Sequence, residues 1–184
     1  DADDRIALLG ANGEGKSNLS KLLADRLAPL SGTVRRAPKL RIGFFAQHQL
    51  DELVPGESPF QHMQRLRPQE LPTQLRARLG AAGIGADVVD NQVERLSGGQ
   101  KARLLMAIAA IDAPHILILD EPTGVLTPQE TEQLFEILKA LRAQGVTILL
   151  ITHKLKEIMA ITDAVSVMRG GEMVAHLATQ DTSP

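Results

Sequence analysis

The sequence contains no cysteine, tryptophan or tyrosine. Without cysteine, disulfides and thiolate metal sites are excluded, and the composition fits a reducing cytosol. The aromatic rings are Phe44, Phe45, Phe60 and Phe135 alone, so a role that needs a stacking ring has few candidates. No apolar run approaches the roughly 18 residues that would cross a bilayer. The N-terminal Asp-Ala-Asp-Asp-Arg lacks the basic and apolar parts of a signal peptide. Neither charge sign is in large excess: the net charge is −2, which gives no support to a whole-chain surface for nucleic acid or anionic membrane. His48, His62, His115 and His176 show no metal-ligand spacing. What remains is 184 residues with 43% hydrophobic and 23% charged, an ordinary globular balance for one domain.

Residues 6–9, Ile-Ala-Leu-Leu, form a short apolar run of the kind found in strands buried on both faces. A Gly-rich loop follows, and then Leu19, Leu22, Leu23 and Leu27 recur at helical spacing, which predicts a helix from Lys16 to about Arg26. Thr33, Val34 and residues 40–46 read as strands. From Gln47 to Arg95, prolines and glycines punctuate short helical pieces, as in an inserted, mostly helical subdomain. Helix resumes over about 99–110, and residues 116–119, Ile-Leu-Ile-Leu, read as a second buried strand. Thr127, Pro128 and Glu130 form a capping box at the start of a helix with an apolar stripe at Leu134, Ile137, Leu138 and Leu141. A third buried strand spans 146–151, a helix starts near Lys154, and residues 164–177 read as a hairpin turning at Gly170 and Gly171. Alternating strands and helices predict a parallel α/β sheet.

The chemistry begins at residues 10–17, Gly-Ala-Asn-Gly-Glu-Gly-Lys-Ser, a phosphate-binding loop between a strand and a helix. Gly10, Gly13 and Gly15 let backbone N–H groups point inward, and the helix adds the positive end of its dipole. Lys16 is expected to reach the β- and γ-phosphates and the Ser17 hydroxyl to ligate Mg²⁺. Asp120 ends an apolar strand, where a carboxylate needs a partner; Mg²⁺ beside the loop would supply one. Glu121 can then polarise a water. Residues 96–100, Leu-Ser-Gly-Gly-Gln, put a hydroxyl and two glycines at a helix start, a second anion cradle by the same dipole argument.

The set resembles the nucleotide-binding domain of an ATP-binding cassette (ABC) protein. Residues 10–17 match its Walker A loop, Gln47 the Q-loop, residues 96–100 the signature motif, residues 116–121 Walker B with its catalytic glutamate, and His153 the switch histidine. The resemblance implies a P-loop α/β fold with a parallel sheet flanked by helices, a helical insert and a C-terminal β-hairpin. It implies one domain over 1–184, with 1–47 and 111–184 as core and 48–110 as helical subdomain, and with the first strands of the family missing from an N-terminally truncated chain. It also implies ATP and Mg²⁺ as cofactors. Gly10, Asn12, Gly13, Gly15, Lys16, Ser17 and Asn18 would bind nucleotide in cis; Ser97, Gly98, Gly99 and Gln100 would bind it in trans, across a head-to-tail pair with a second cassette. Glu121, His153 and Gln47 would be catalytic, with Ser17, Asp120 and Gln47 around the metal.

Departures from the family pattern qualify these expectations. No upstream aromatic is present to stack on adenine. Asn18 stands where Thr is usual, and Thr127 where a D-loop aspartate is common. Glu14 lies inside the cradle, where a carboxylate about 6 Å from a phosphate would cost roughly 2–3 kcal/mol per charge pair. Residues 5–121 resemble the C-terminal cassette of soluble ABC-F proteins, which act on ribosomes, whereas 123–175 resemble cassettes of sugar or nucleoside importers. The partner is thus a ribosome or a membrane permease, and the place of work the cytoplasm or the inner face of the plasma membrane. An ATPase and an ATP-binding module with negligible turnover both stay open. Lys154 and Lys156 read as a solvated helix face.

Overall fold

A computed structural model describes residues 5–181; the reading of the first four residues as no leader falls outside them. A six-stranded sheet has the order β2-β3-β4-β1-β5-β6, from β1 (Arg5–Leu9), β2 (Ile42–Ala46), β3 (Ile116–Asp120), β4 (Thr147–Ile151), β5 (Ala164–Arg169) and β6 (Glu172–Ala178). All neighbours pair in parallel except β5 and β6, the hairpin. The parallel strands are apolar because helices cover both their faces. On one face, α1 (Lys16–Leu23) lies over Phe44, Ile118, Leu149 and Leu8. On the other, α4 (Gly98–Ala109) and α5 (Pro128–Ala143) pack with Phe45, Leu117, Leu119, Ile148 and Leu150. There α6 (Leu155–Ile161) covers Ala7 and Val165. Two short helices, α2 (Pro59–Leu66) and α3 (Pro72–Ala81), join the α4 side through Met63, Leu75 and Leu79.

The register aligns the carboxyl ends of four strands in one row. Ala46 pairs with Asp120, Asp120 with Ile151, and Ile151 with Leu8. The loops leaving this row are the P-loop, Gln47, Glu121 and His153, and such an edge is where open α/β sheets bind ligands. At the start of β1, Arg5 donates from its backbone N–H and its guanidinium to Asp163. Those hydrogen bonds hold the Asp163 carboxyl below its usual range.

Three sequence expectations change. The helix α1 ends at Leu23 rather than Arg26, because Asp25 turns to a φ of 61°; Leu27, placed on its stripe, is exposed. Thr33 and Val34 are not strand: β-branched residues favour a pleated surface only where a neighbouring strand pairs with them. β2 begins at Ile42, since the Arg41 N–H is taken by the His115 ring.

Candidate functional site

The P-loop leaves β1 at Gly10, whose close neighbour is the Met168 carbonyl; a Cβ there would lie 2.5 Å from that oxygen. Gly13 and Gly15 take φ of 89° and 92°, in the left-handed region open to glycine, and Gly15 caps α1. Lys16 is buried and folds back on the loop, donating to the carbonyls of Gly10 at 2.7 Å and Ala11 at 2.9 Å. Glu14 does not face the cradle: its carboxylate accepts the Gly170 N–H in the hairpin turn. The expected repulsion therefore has no geometric basis here.

Two clefts flank the row of strand ends. One, of about 260 Å³, is lined by Asn12, Gly13, Gly15, Lys16, Ser17, Asn18, Asp120, Glu121 and Ile151. The other, of about 430 Å³, has Ala46, Gln47, His48, Leu50, Asp51 and Val125, and again Ser17, Asp120 and Glu121. The three shared residues form the wall between them. Asp120 is 8% exposed, and among the described residues no hydrogen bond or ion pair engages its carboxylate. A buried anion without a partner, beside a serine hydroxyl, suits Mg²⁺, which takes one or two protein oxygens and completes its shell with phosphate and water. No cluster of three or more His, Asp or Glu capable of holding a metal occurs among the described residues, so a metal here would be held jointly with a phosphate ligand.

Glu121 adopts a φ of 51° and donates its backbone N–H to the Ile151 carbonyl at 2.9 Å. Its Oε1 lies 3.0 Å from His153 Nδ1, while Oε2 is buried with no partner. The loop after β3 thus meets the loop after β4 at two candidate catalytic groups. Gln47 rests on Gly124, where a Cβ would lie 2.2 Å from the Gln47 Oε1.

Residues 96–100 line neither cleft. Ser97 caps α4 and forms a capping box with Gln100. Its hydroxyl donates to Glu130 Oε1 at 3.0 Å, and the Gly99 N–H donates to the same oxygen at 3.1 Å. Glu130 Oε2 accepts from Thr127, capping α5. These donors, Thr127 N–H foremost, lower the Glu130 pKa. The capping box at Thr127 was legible; the reach of Glu130 to a motif more than thirty residues away was not.

Lys154 is partly exposed, but its ammonium is engaged within the fold rather than left to solvent. Its Nζ donates to the Thr123 carbonyl at 2.9 Å and pairs with Glu157 at 3.3 Å. Glu157 and Thr152 also escaped the sequence reading, although a carboxylate flanking Ile158 and Ile161 on a short helix was a signal. Three of the unassigned histidines are hydrogen-bonded within the fold: His62 to Val54 and Ser58, His115 to Arg41, His176 to Ser166.

The ABC transporter family model matches residues 1–124. The chain is 50% identical over 134 residues to the probable ATP-binding protein YheS of Escherichia coli K12, covering 73% of this chain and 21% of that protein. To the protein GCN20 of Saccharomyces cerevisiae it is 37% identical over 169 residues, covering 92% and 22%. It therefore spans about a fifth of the length of these curated relatives. In fold it matches the dimeric bacterial ABC transporter cassette MJ0796 with a TM-score of 0.82 at 22% identity, over 97% of this chain and 87% of that one. It matches cbiO1 from Clostridium perfringens with a TM-score of 0.81 at 26% identity, over 98% and 79%. No helix among the described residues is long and apolar enough to cross a membrane. By the family match and by the P-loop architecture that accompanies it, the chain belongs to the ABC transporter family of ATPase cassettes.

Proposed function

We propose that this cassette binds ATP with Mg²⁺ at the P-loop and hydrolyses it when a second cassette covers the γ-phosphate. One observation carries the reading: Ser17, Asp120 and Glu121 form the wall common to both clefts, with Glu121 in contact with His153. Lys16 would exchange the Gly10 and Ala11 carbonyls for phosphate oxygens. Mg²⁺, held by Ser17 and Asp120 with Gln47 nearby, would supply neutralisation of charge building on the transferred phosphoryl group. Glu121 accepts the proton of the attacking water, and His153 orients that carboxylate. Gly10, Asn12, Gly13, Gly15 and Asn18 serve the cis nucleotide. Ser97, Gly98, Gly99 and Gln100 serve the partner's, which explains why they line neither cleft. MJ0796, a fold neighbour, is dimeric in a post-hydrolysis state with ADP and phosphate.

The division into a core of 1–47 and 111–184 and a helical subdomain of 48–110 belongs to the same proposal. So does the partner. The ABC-F relatives, among them ABC transporter F family member 4 of Arabidopsis thaliana at 42% identity, favour a ribosome over a permease and a cytoplasmic place of work. Co-sedimentation with ribosomes but not with membrane vesicles is the expected result.

The test is Mg²⁺-dependent phosphate release by the whole chain, lost in Glu121→Gln while ATP binding persists. Turnover that survives this change removes Glu121 from the mechanism. A second reading, an ATP-binding module with negligible turnover, is favoured by Glu130 satisfying the α4 cradle from within. Under it, nucleotide raises the melting temperature and no phosphate appears.

A further inference from the structure

We propose that Glu157 is a positioning residue for the Glu121 and His153 pair, acting through a buried clasp that ties together the loops carrying them. The inference rests on the reading of that pair as catalytic.

The clasp is a closed hydrogen-bond network. Glu157 is 8% exposed, and Thr123 and Thr152 are fully buried. The Thr123 hydroxyl donates to both Glu157 oxygens at 2.8 Å and accepts from Lys154 Nζ at 3.2 Å. The Thr152 hydroxyl donates to Glu157 Oε2 at 3.3 Å and accepts the Lys154 N–H at 3.1 Å. Each hydroxyl has one proton and spends it on Glu157, so the carboxylate is the common acceptor. Lys154 Nζ closes the ring on the Thr123 carbonyl and on Glu157. A buried carboxylate is tolerated only when it is satisfied in this way.

Its placement in the chain gives the clasp a consequence. Thr123 lies two residues after Glu121. Thr152 and Lys154 are the two neighbours of His153. Glu157 therefore holds the loop after β3 and the loop after β4 on either side of the 3.0 Å contact between Glu121 and His153. Glu121 sits in left-handed backbone at a φ of 51°, a conformation that persists only where the surroundings over-determine it. The backbone bond from Glu121 to Ile151 fixes one side; the clasp fixes the other. Glu157 lines neither cleft, so its influence on turnover would pass through the loops alone.

The test uses steady-state ATP hydrolysis by the full chain with Mg²⁺. Glu157→Ala is expected to lower kcat by about 10- to 100-fold, since small misplacements of catalytic groups have effects of this size, and to leave KM for ATP within about twofold. Glu157→Gln, which keeps one acceptor oxygen, recovers part of the loss. Thr123→Val, close in shape, shows the same split of kcat from KM and keeps the proposal testable if Glu157→Ala does not fold. In a His153→Ala background, Glu157→Ala adds little further loss, because coupled residues are non-additive. A full additive loss there, or a risen KM with unchanged kcat, overturns the positioning role. Wild-type turnover that Glu157→Ala leaves intact overturns it too, and leaves the assignment of Glu121 standing. Absence of wild-type turnover overturns the catalytic reading of the pair, and the positioning role falls with it.

Discussion

Two candidate anion cradles are built on one principle, the N–H groups of a helix N-terminus, and they stand in opposite conditions. At α1 a cation stands at the cradle, and among the described residues no carboxylate answers it: Lys16 bonds the Gly10 and Ala11 carbonyls. At α4 the anion is already there: Glu130 takes the Ser97 hydroxyl and the Gly99 N–H. The first cradle is built to gain from an incoming phosphate. The second must release or accommodate a carboxylate before a phosphate reaches the same donors. Under the proposed function, the same local chemistry would give a primary site in one place and a site that must first be freed in the other.

The comparison breaks most sharply at Lys16. Lys16→Ala should weaken ATP binding by about 10- to 100-fold, the weight of a charge-assisted hydrogen bond, and titration calorimetry would measure it. If affinity is unchanged, the first cradle is not the primary site. Next is Gly99→Ala. Its Cβ would lie 2.4 Å from the Glu130 carboxyl, so thermal unfolding should show a loss of about 1–3 kcal/mol. A variant as stable as wild type would mean that Glu130 leaves the cradle easily.

A smaller effect is expected from Glu130→Gln, which keeps an acceptor for the capping box and removes the charge. Glu130 has its pKa lowered from an ordinary 4.5. A depressed carboxylate stabilises the fold above its unfolded pKa and loses that contribution as pH falls through the folded value. The melting temperature of wild type should thus exceed that of Glu130→Gln at neutral pH, and the gap should narrow as pH falls below the ordinary 4.5 and close once it passes the lowered folded value. A gap that grows in acid would reverse the sign and refute the contact. Smallest of all is Glu14→Gln. With its carboxylate on Gly170, ATP affinity should change by less than about threefold, well under the roughly 2–3 kcal/mol that a carboxylate facing the phosphate would impose.

Much of this architecture was legible because its signals are local. Apolar runs marked β1, β3 and β4, and Thr127 with Glu130 marked the start of α5. The row of strand ends follows from parallel pairing, so Asp120, Gln47 and the P-loop meet where the motifs placed them. The misses share another cause. Glu130 to Gly99, Lys154 to Thr123 and Glu157 to Thr123 join residues more than thirty positions apart. No periodicity encodes such contacts; Glu130 and Lys154 each had an adequate local explanation, as cap and as solvated charge, and Glu157 was given no role. Thr33 and Val34 failed in the converse way, since strand preference means little without a partner strand.

The row linking Ala46, Asp120, Ile151 and Leu8 also sets where the chain tolerates changes of length. A single inserted residue within any of these strands would reverse its faces and carry its terminal group about 3.3 Å out of line with the others. Turns entering the strands from the far edge, such as those at Ala113 and Gly145, are free of that constraint. Fusion tags, labels or loop grafts belong there.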